Sequence, residues 1–110
     1  MSILDELRSE TREFAAVRNW LQYHTPKNLA MAIAGEAGEL VAEFQWLTPE
    51  ESDPESMTVK QRSAIESEMA DVFIYLLRLS DILNVDLATA TREKLNINET
   101  RFPQLGSEPN

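Results

Sequence analysis

The chain has 110 residues, no cysteine and a formal net charge of −9, room for one small domain with a thin core. The lack of cysteine excludes disulfides and thiolate metal sites and suits a reducing compartment such as the cytoplasm. The negative charge, with basic residues scattered singly from Arg8 to Arg101, argues against nucleic acid or an anionic membrane as partner, but it admits a triphosphate once divalent cations stand between the two sets of charge.

The N-terminal MSILDELRSE has no basic segment followed by an apolar stretch, so no signal peptide is expected. No run approaches the ~20 apolar residues of a bilayer span. Apolar residues recur at three- and four-residue spacing and strand-like alternation is missing, which predicts an all-α fold, a small four-helix bundle-like domain over residues 1–103. The first helix is expected from Ile3 to Tyr23, broken by His24-Thr25-Pro26-Lys27. Asn28 is the expected N-cap of a second helix reaching Trp46. Leu47–Met57, with Pro49, Asp53 and Pro54, reads as an exposed acidic loop.

A third helix is expected from Thr58 to Leu83, and a fourth, capped by Asp86, to Thr100. Pro103 closes it, leaving 104–110 as a frayed tail. The third helix would be ~39 Å long, against the ~13 Å radius of gyration of a domain this size. Its later half, VFIYLLRLSDIL, is apolar almost all round. Such a helix needs cover on more than one side, so a homo-oligomer with this helix at or near the interface is expected.

Two carboxylate pairs carry the chemistry: Glu36-Ala-Gly-Glu39 on the second helix and Glu68-Met-Ala-Asp71 on the third. Spacing of i, i+3 puts both members of a pair on one helical face. If the helices pack antiparallel, all four converge on one cleft, where like charges are costly unless a cation sits between them. Hard oxygen donors suit magnesium, with manganese as a substitute, and the softer zinc ligands are nearly or wholly missing. Ala34, Gly35, Ala37, Gly38 and Ala70 surround the pairs, small residues that allow close helix approach and room for a ligand. Two mid-helix glycines cost about 1 kcal/mol each, which a purely structural helix has little reason to bear. Acidic pairs of this spacing are nonetheless usually solvated faces, so each pair taken alone says little.

The runs NLAMAIAGEAGELVAEFQW (Asn28–Trp46) and ESEMADVFIYL (Glu66–Leu76) resemble the all-α nucleotide pyrophosphohydrolases, the MazG-like superfamily, and in particular its dCTP pyrophosphatase branch. RNWLQYHTPKNL (Arg18–Leu29) and KLNINETRFP (Lys94–Pro103) are similar to the same branch, so the likeness covers about Phe14 to Pro103. The resemblance implies magnesium-dependent attack of water on the α-phosphorus of a nucleoside triphosphate, releasing pyrophosphate, within a nucleotide-pool housecleaning or balancing role. It implies Glu36, Glu39, Glu68 and Asp71 as metal ligands, with Glu36 or Glu39 alternatively acting as general base. Trp20 and Trp46 match its base-stacking tryptophans, and an indole face stacks on a base for ~1–3 kcal/mol. Tyr75, four residues beyond Asp71 and so on its face, is placed to contact the sugar or a phosphate, Asn98 matches a base or sugar contact, and Lys94 and Arg101 match residues facing the phosphate tail.

The branch forms tetramers. His24 also matches it, but a lone loop histidine is usually structural and is not assigned to catalysis. Where some members carry a histidine nine residues before the first tryptophan, this chain has Thr11, so its base preference need not follow theirs.

Other readings are a family enzyme acting on another nucleotide such as phosphoribosyl-ATP, or a non-catalytic helical interaction module with solvated acidic faces. A di-iron carboxylate bundle is excluded because it needs Glu-x-x-His motifs, which the chain lacks.

Overall fold

Each helix starts at a side chain that satisfies amides the helix itself leaves unpaired. Ser2 and Asp5 form a capping box at the start of α1 (Ile3–Ala16), and Thr58 and Gln61 form another at α3 (Val59–Ile82). Thr25 caps α2 (Pro26–Ala42) by accepting from the Asn28 amide at 3.2 Å, with Pro26 in the first helical position where its missing N–H is harmless. Asp86 caps α4 (Leu87–Arg101), accepting from the Thr89 amide at 3.1 Å. The computed structural model describes residues 1–106, and among these there is no strand. The all-α expectation holds.

The sequence expectations for the third and fourth helices agree with α3 and α4 to within a residue or two, but those for the first two need correction. The first helix ends at Ala16 rather than Tyr23, because Asn19 takes φ 57°. The Asn19 amide then donates to Ala16 O at 3.0 Å and the Trp20 amide to Ala15 O at 2.9 Å, a Schellman stop with asparagine at its left-handed position. A single 3-10 turn, Leu21–Tyr23, follows. Asn28 is not the N-cap of α2; it lies in the first turn and its amide side chain donates to Tyr23 O at 3.0 Å. The second helix ends at Ala42, four residues before Trp46, and residues 43–46 turn away. Asn84, at φ 53°, ends α3 as Asn19 ends α1, its amide donating to Asp81 O and that of Val85 to Ser80 O at 2.8 Å.

The fold is organised around α3. It packs chiefly on α2 and secondarily on α1, whereas α4 makes only sparse contacts with the other helices. Among the described residues the buried apolar side chains are Ala15, Leu29, Ile65 and Leu77, one or two per helix of this three-helix core. Beside them sits a buried charge cluster. Arg78, 1% exposed, donates from Nη1 to Asp81 Oδ2 at 2.7 Å. Asp81 also accepts from Arg12 and from Arg8 Nε, at 3.3 Å in the latter case. Arg8 reaches on to Val85 O and Asn84 Oδ1, each at 3.3 Å. The cluster clamps α1 to the last turn of α3.

Other apolar side chains of α3 are left uncovered, with Met69 and Ile74 57% and 42% exposed. Of the expected tail, Gln104–Gly106 is non-helical, with Leu105 99% exposed, and its last four residues lie outside those described.

Candidate metal centre and neighbouring pocket

Packing of α2 against α3 brings Glu36, Glu68 and Asp71 together, each half-buried, with one carboxylate oxygen from each lying within 4.8 Å of the others. Glu39 is exposed and outside this trio, though its charge reaches Glu68. Burial, and then the charges of Asp71, Glu39, Glu36 and Glu43, push the Glu68 carboxyl above its ordinary value. Glu43 is a carboxylate of this face that the sequence reasoning missed. Its spacing of i+4 from Glu39 and i+7 from Glu36 is the signal that would have found it.

An all-carboxylate trio of like charges this close together fits a hard divalent cation such as magnesium or manganese. Of the two parts expected of the glycines, close helix approach and room for a ligand, the structure agrees with the second. A Cβ at Gly35 or Gly38 would meet nothing within 4 Å, so neither serves close approach of a neighbouring helix within this chain. Both leave open space beside the carboxylates.

The aromatic candidates divide. Trp20 and Tyr75 line one pocket of about 460 Å³ together with Tyr23, His24, Asn28, Leu29 and Ala32. The turn after α1 delivers Trp20 there, edge-to-face with Phe14 at a centroid distance of 5.8 Å. Tyr75 arrives from α3, one turn beyond Asp71, which ties this pocket to the carboxylates. Trp46 is 87% exposed, beyond the end of α2 and not part of this wall. Lys94 and Asn98 line a separate hollow of about 270 Å³ on α4. Arg101 lies over the Phe102 ring, 5.2 Å from its centroid. The α4 candidates therefore do not meet Trp20 and Tyr75 within one chain.

His24 is the second residue whose place the sequence did not reveal. Its ring is edge-to-face with Tyr75 at 6.5 Å, and its Nδ1 accepts from Arg78 Nε at 3.2 Å. Burial and the adjacent Arg78 charge hold its pKa below the ordinary value.

Residues 24–106 match the family model of the MazG nucleotide pyrophosphohydrolase domain. The chain is 43% identical over 100 residues to human dCTP pyrophosphatase 1 and 42% identical to the rat protein of that name, in each case over 91% of this chain. It spans 59% of the length of these curated relatives. The crystal structure of a pyrophosphatase from Archaeoglobus fulgidus superposes with a TM-score of 0.85 at 38% identity, covering 94% of this chain and 95% of that one. A fold match of this quality and a family match that includes both carboxylate pairs make the chain a member of the MazG nucleotide pyrophosphohydrolase domain family.

Proposed function

We propose that the chain hydrolyses a deoxynucleoside triphosphate, with dCTP or a related or modified nucleotide preferred, to the monophosphate and pyrophosphate. The observation that carries this reading is the convergence of Glu36, Glu68 and Asp71 beside an aromatic pocket. The same-named activity of the mammalian relatives supports it.

In this mechanism Glu36, Glu68 and Asp71 would hold a magnesium ion. When bound, the cation supplies Lewis acidity toward the phosphoryl oxygens and offsets the charge that builds on the leaving pyrophosphate. Glu39, outside the trio, takes the proton from water as it attacks the α-phosphorus and the bond to the bridging oxygen breaks. Trp20 and Tyr75 hold the base against their ring faces.

The remaining candidates, Trp46, Lys94, Asn98 and Arg101, complete the site from a neighbouring copy. The chain exposes 8575 Å², about 40% more than the ~6,200 Å² usual for a monomer of its mass. Its radius of gyration is 17.7 Å where ~13 Å is expected. Both values support a homo-oligomer, which we take to be a tetramer. Among the described residues no helix is long and apolar enough to cross a membrane. The setting we propose is cytoplasmic, in housecleaning of the nucleotide pool.

Pyrophosphate release from a panel of standard and modified dNTPs tests this reading, with magnesium and with EDTA, for wild type and Glu39→Ala. Release from dCTP or another dNTP is expected with magnesium, and at least 100-fold less in the variant or in EDTA. No release from any triphosphate by folded, assembled protein would leave a helical binding module. Release from phosphoribosyl-ATP instead would reassign the substrate.

A further inference from the structure

The wall of the aromatic pocket is built to present one particular proton. His24 follows the Leu21–Tyr23 turn and stands between two unlike neighbours: Tyr75 on the pocket side and the buried Arg78 behind. Arg78 Nε donates to His24 Nδ1 at 3.2 Å. A guanidinium has only donors and keeps its proton, so Nδ1 must be the acceptor and the neutral ring must carry its single proton on Nε2.

The guanidinium cannot readily swing away, because it is 1% exposed and its Nη1 is held on Asp81, itself bound by Arg8 and Arg12 of α1. Among the described residues the buried side-chain polar atom without a partner is Arg78 Nη2. His24 Nε2 is not such an atom and makes no bond to the protein, so it faces open space where His24 lines the pocket. Spending a buried guanidinium on an imidazole while one of its own donors stays orphaned is a costly arrangement, and packing alone gives no reason for it.

The pocket around this proton suits a flat heterocycle. Trp20, Tyr23 and Tyr75 supply ring faces and edges, and Leu29 and Ala32 an apolar lining. The Asn28 side-chain nitrogen is engaged on Tyr23 O, which leaves its carbonyl oxygen as acceptor. The pocket thus combines a fixed donor with a fixed acceptor, the pattern that reads a base edge.

We propose that Arg78 is a positioning residue that locks His24 as the Nε2–H tautomer, and that His24 donates this proton to a ring-nitrogen or carbonyl acceptor of the nucleobase held by Trp20 and Tyr75. His24 is then a specificity-determining residue. The assignment rests on the nucleotide reading given above.

His24 is the only histidine in the chain, so ¹⁵N-histidine labelling gives an unambiguous spectrum. At neutral pH the wild type is expected to show one tautomer, Nδ1 bare and Nε2 protonated, with the Nε2–H signal moving when the α,β-methylene analogue of dCTP is added with magnesium. His24→Phe is expected to raise KM for dCTP about 10-fold with kcat within about threefold, the size of one neutral hydrogen bond. His24→Gln, whose carbonyl and amide reproduce the acceptor and donor, is expected to restore most of that loss. Arg78→Lys is expected to give mixed tautomers and the KM of His24→Phe.

A wild-type spectrum with the proton on Nδ1 overturns the positioning role without any variant. Turnover and analogue binding that leave the Nε2–H signal unmoved overturn the base contact alone. Absence of both turnover and analogue binding in the wild type sinks the hydrolytic reading and this one together.

Discussion

At the scale of single residues, the chain's most consequential side chain for stability is not one of its candidate site residues. Asp81 accepts hydrogen bonds from Arg12, Arg78 and Arg8 while only 10% of its side chain is exposed. Its Arg12 bond first, then those from Arg78 and Arg8, hold its pKa well below the ordinary carboxylate range against the opposing cost of burial. A depressed folded-state pKa contributes stability that is fully present above the unfolded value, near 4, and is lost as pH falls through the folded value. Asp81→Asn leaves the buried Arg78 without its counter-charge and is expected to cost about 3–5 kcal/mol in urea unfolding at pH 7. Part of that difference is expected to vanish below about pH 4, where wild-type Asp81 itself begins to protonate in the unfolded chain. A urea series from pH 7 to pH 3 on both proteins checks the size and the sign. The local sequence offers Asp81 only Arg78, three residues away, and does not mark its other two partners, 69 and 73 residues away. The carboxylate pairs were legible because each is local, within one turn of one helix.

At the scale of elements, the starts of α3 and α4 were legible, whereas that of α2, capped by Thr25, was not. Thr58 with Gln61, and Asp86, lie one residue before a periodic apolar stretch, and both starts match the structure. The first helix was read too long because its apolar spacing continues through Val17 and Leu21, while its stop is a backbone event at Asn19. Asparagine tolerates the left-handed region better than most residues, but glycine does so at no steric cost. Asn19→Gly is therefore expected to be neutral or slightly stabilising, and Asn19→Ala to cost about 1 kcal/mol, as read by urea midpoints. Asn28 was misread for a related reason. Asparagine and threonine both cap well, and the threonine followed by Pro26 at the first helical position prevailed.

The pairing of α2 with α3 carries its own consequence, since it concentrates like charge from both helices around Glu68. Asp71→Asn is expected to melt no lower than wild type in EDTA, because it removes a repelling charge. Magnesium at about 100-fold its dissociation constant is expected to stabilise wild type by about 2.7 kcal/mol, and the variant by much less, in paired thermal melts.

At the scale of the whole molecule, Lys94 and Asn98 on α4 and the exposed Trp46 stand apart from Trp20 and Tyr75 within one chain, a separation that the proposed oligomer would close. The α3 helix is the axis of the fold, yet Phe73 and Ile74 on it are 38% and 42% exposed. Phe14 on α1 and Leu95 on α4 are 53% and 59% exposed. Ile74 and Phe14 line one apolar hollow, and Phe73 and Leu95 line another. Apolar surface this extensive on a 12.5 kDa chain is what an association face presents before it is covered. A stable interface needs upward of about 1,000 Å², and the excess exposed area is ample for that. If, as proposed above, Lys94 and Asn98 act in the site of a neighbouring copy, the same covering would have to bring α4 toward that copy's carboxylates. Light scattering is therefore expected to give a mass several times that of the chain, about 50 kDa for a tetramer. Ile74→Glu buries a charge at the proposed contact and is expected to shift the mass downward and to abolish turnover in the same dilution series, although Ile74 is not a member of either carboxylate pair. If the wild type instead runs as a monomer at working concentration and still turns over dNTPs, one chain holds a complete site, and the candidates on α4 lose their role.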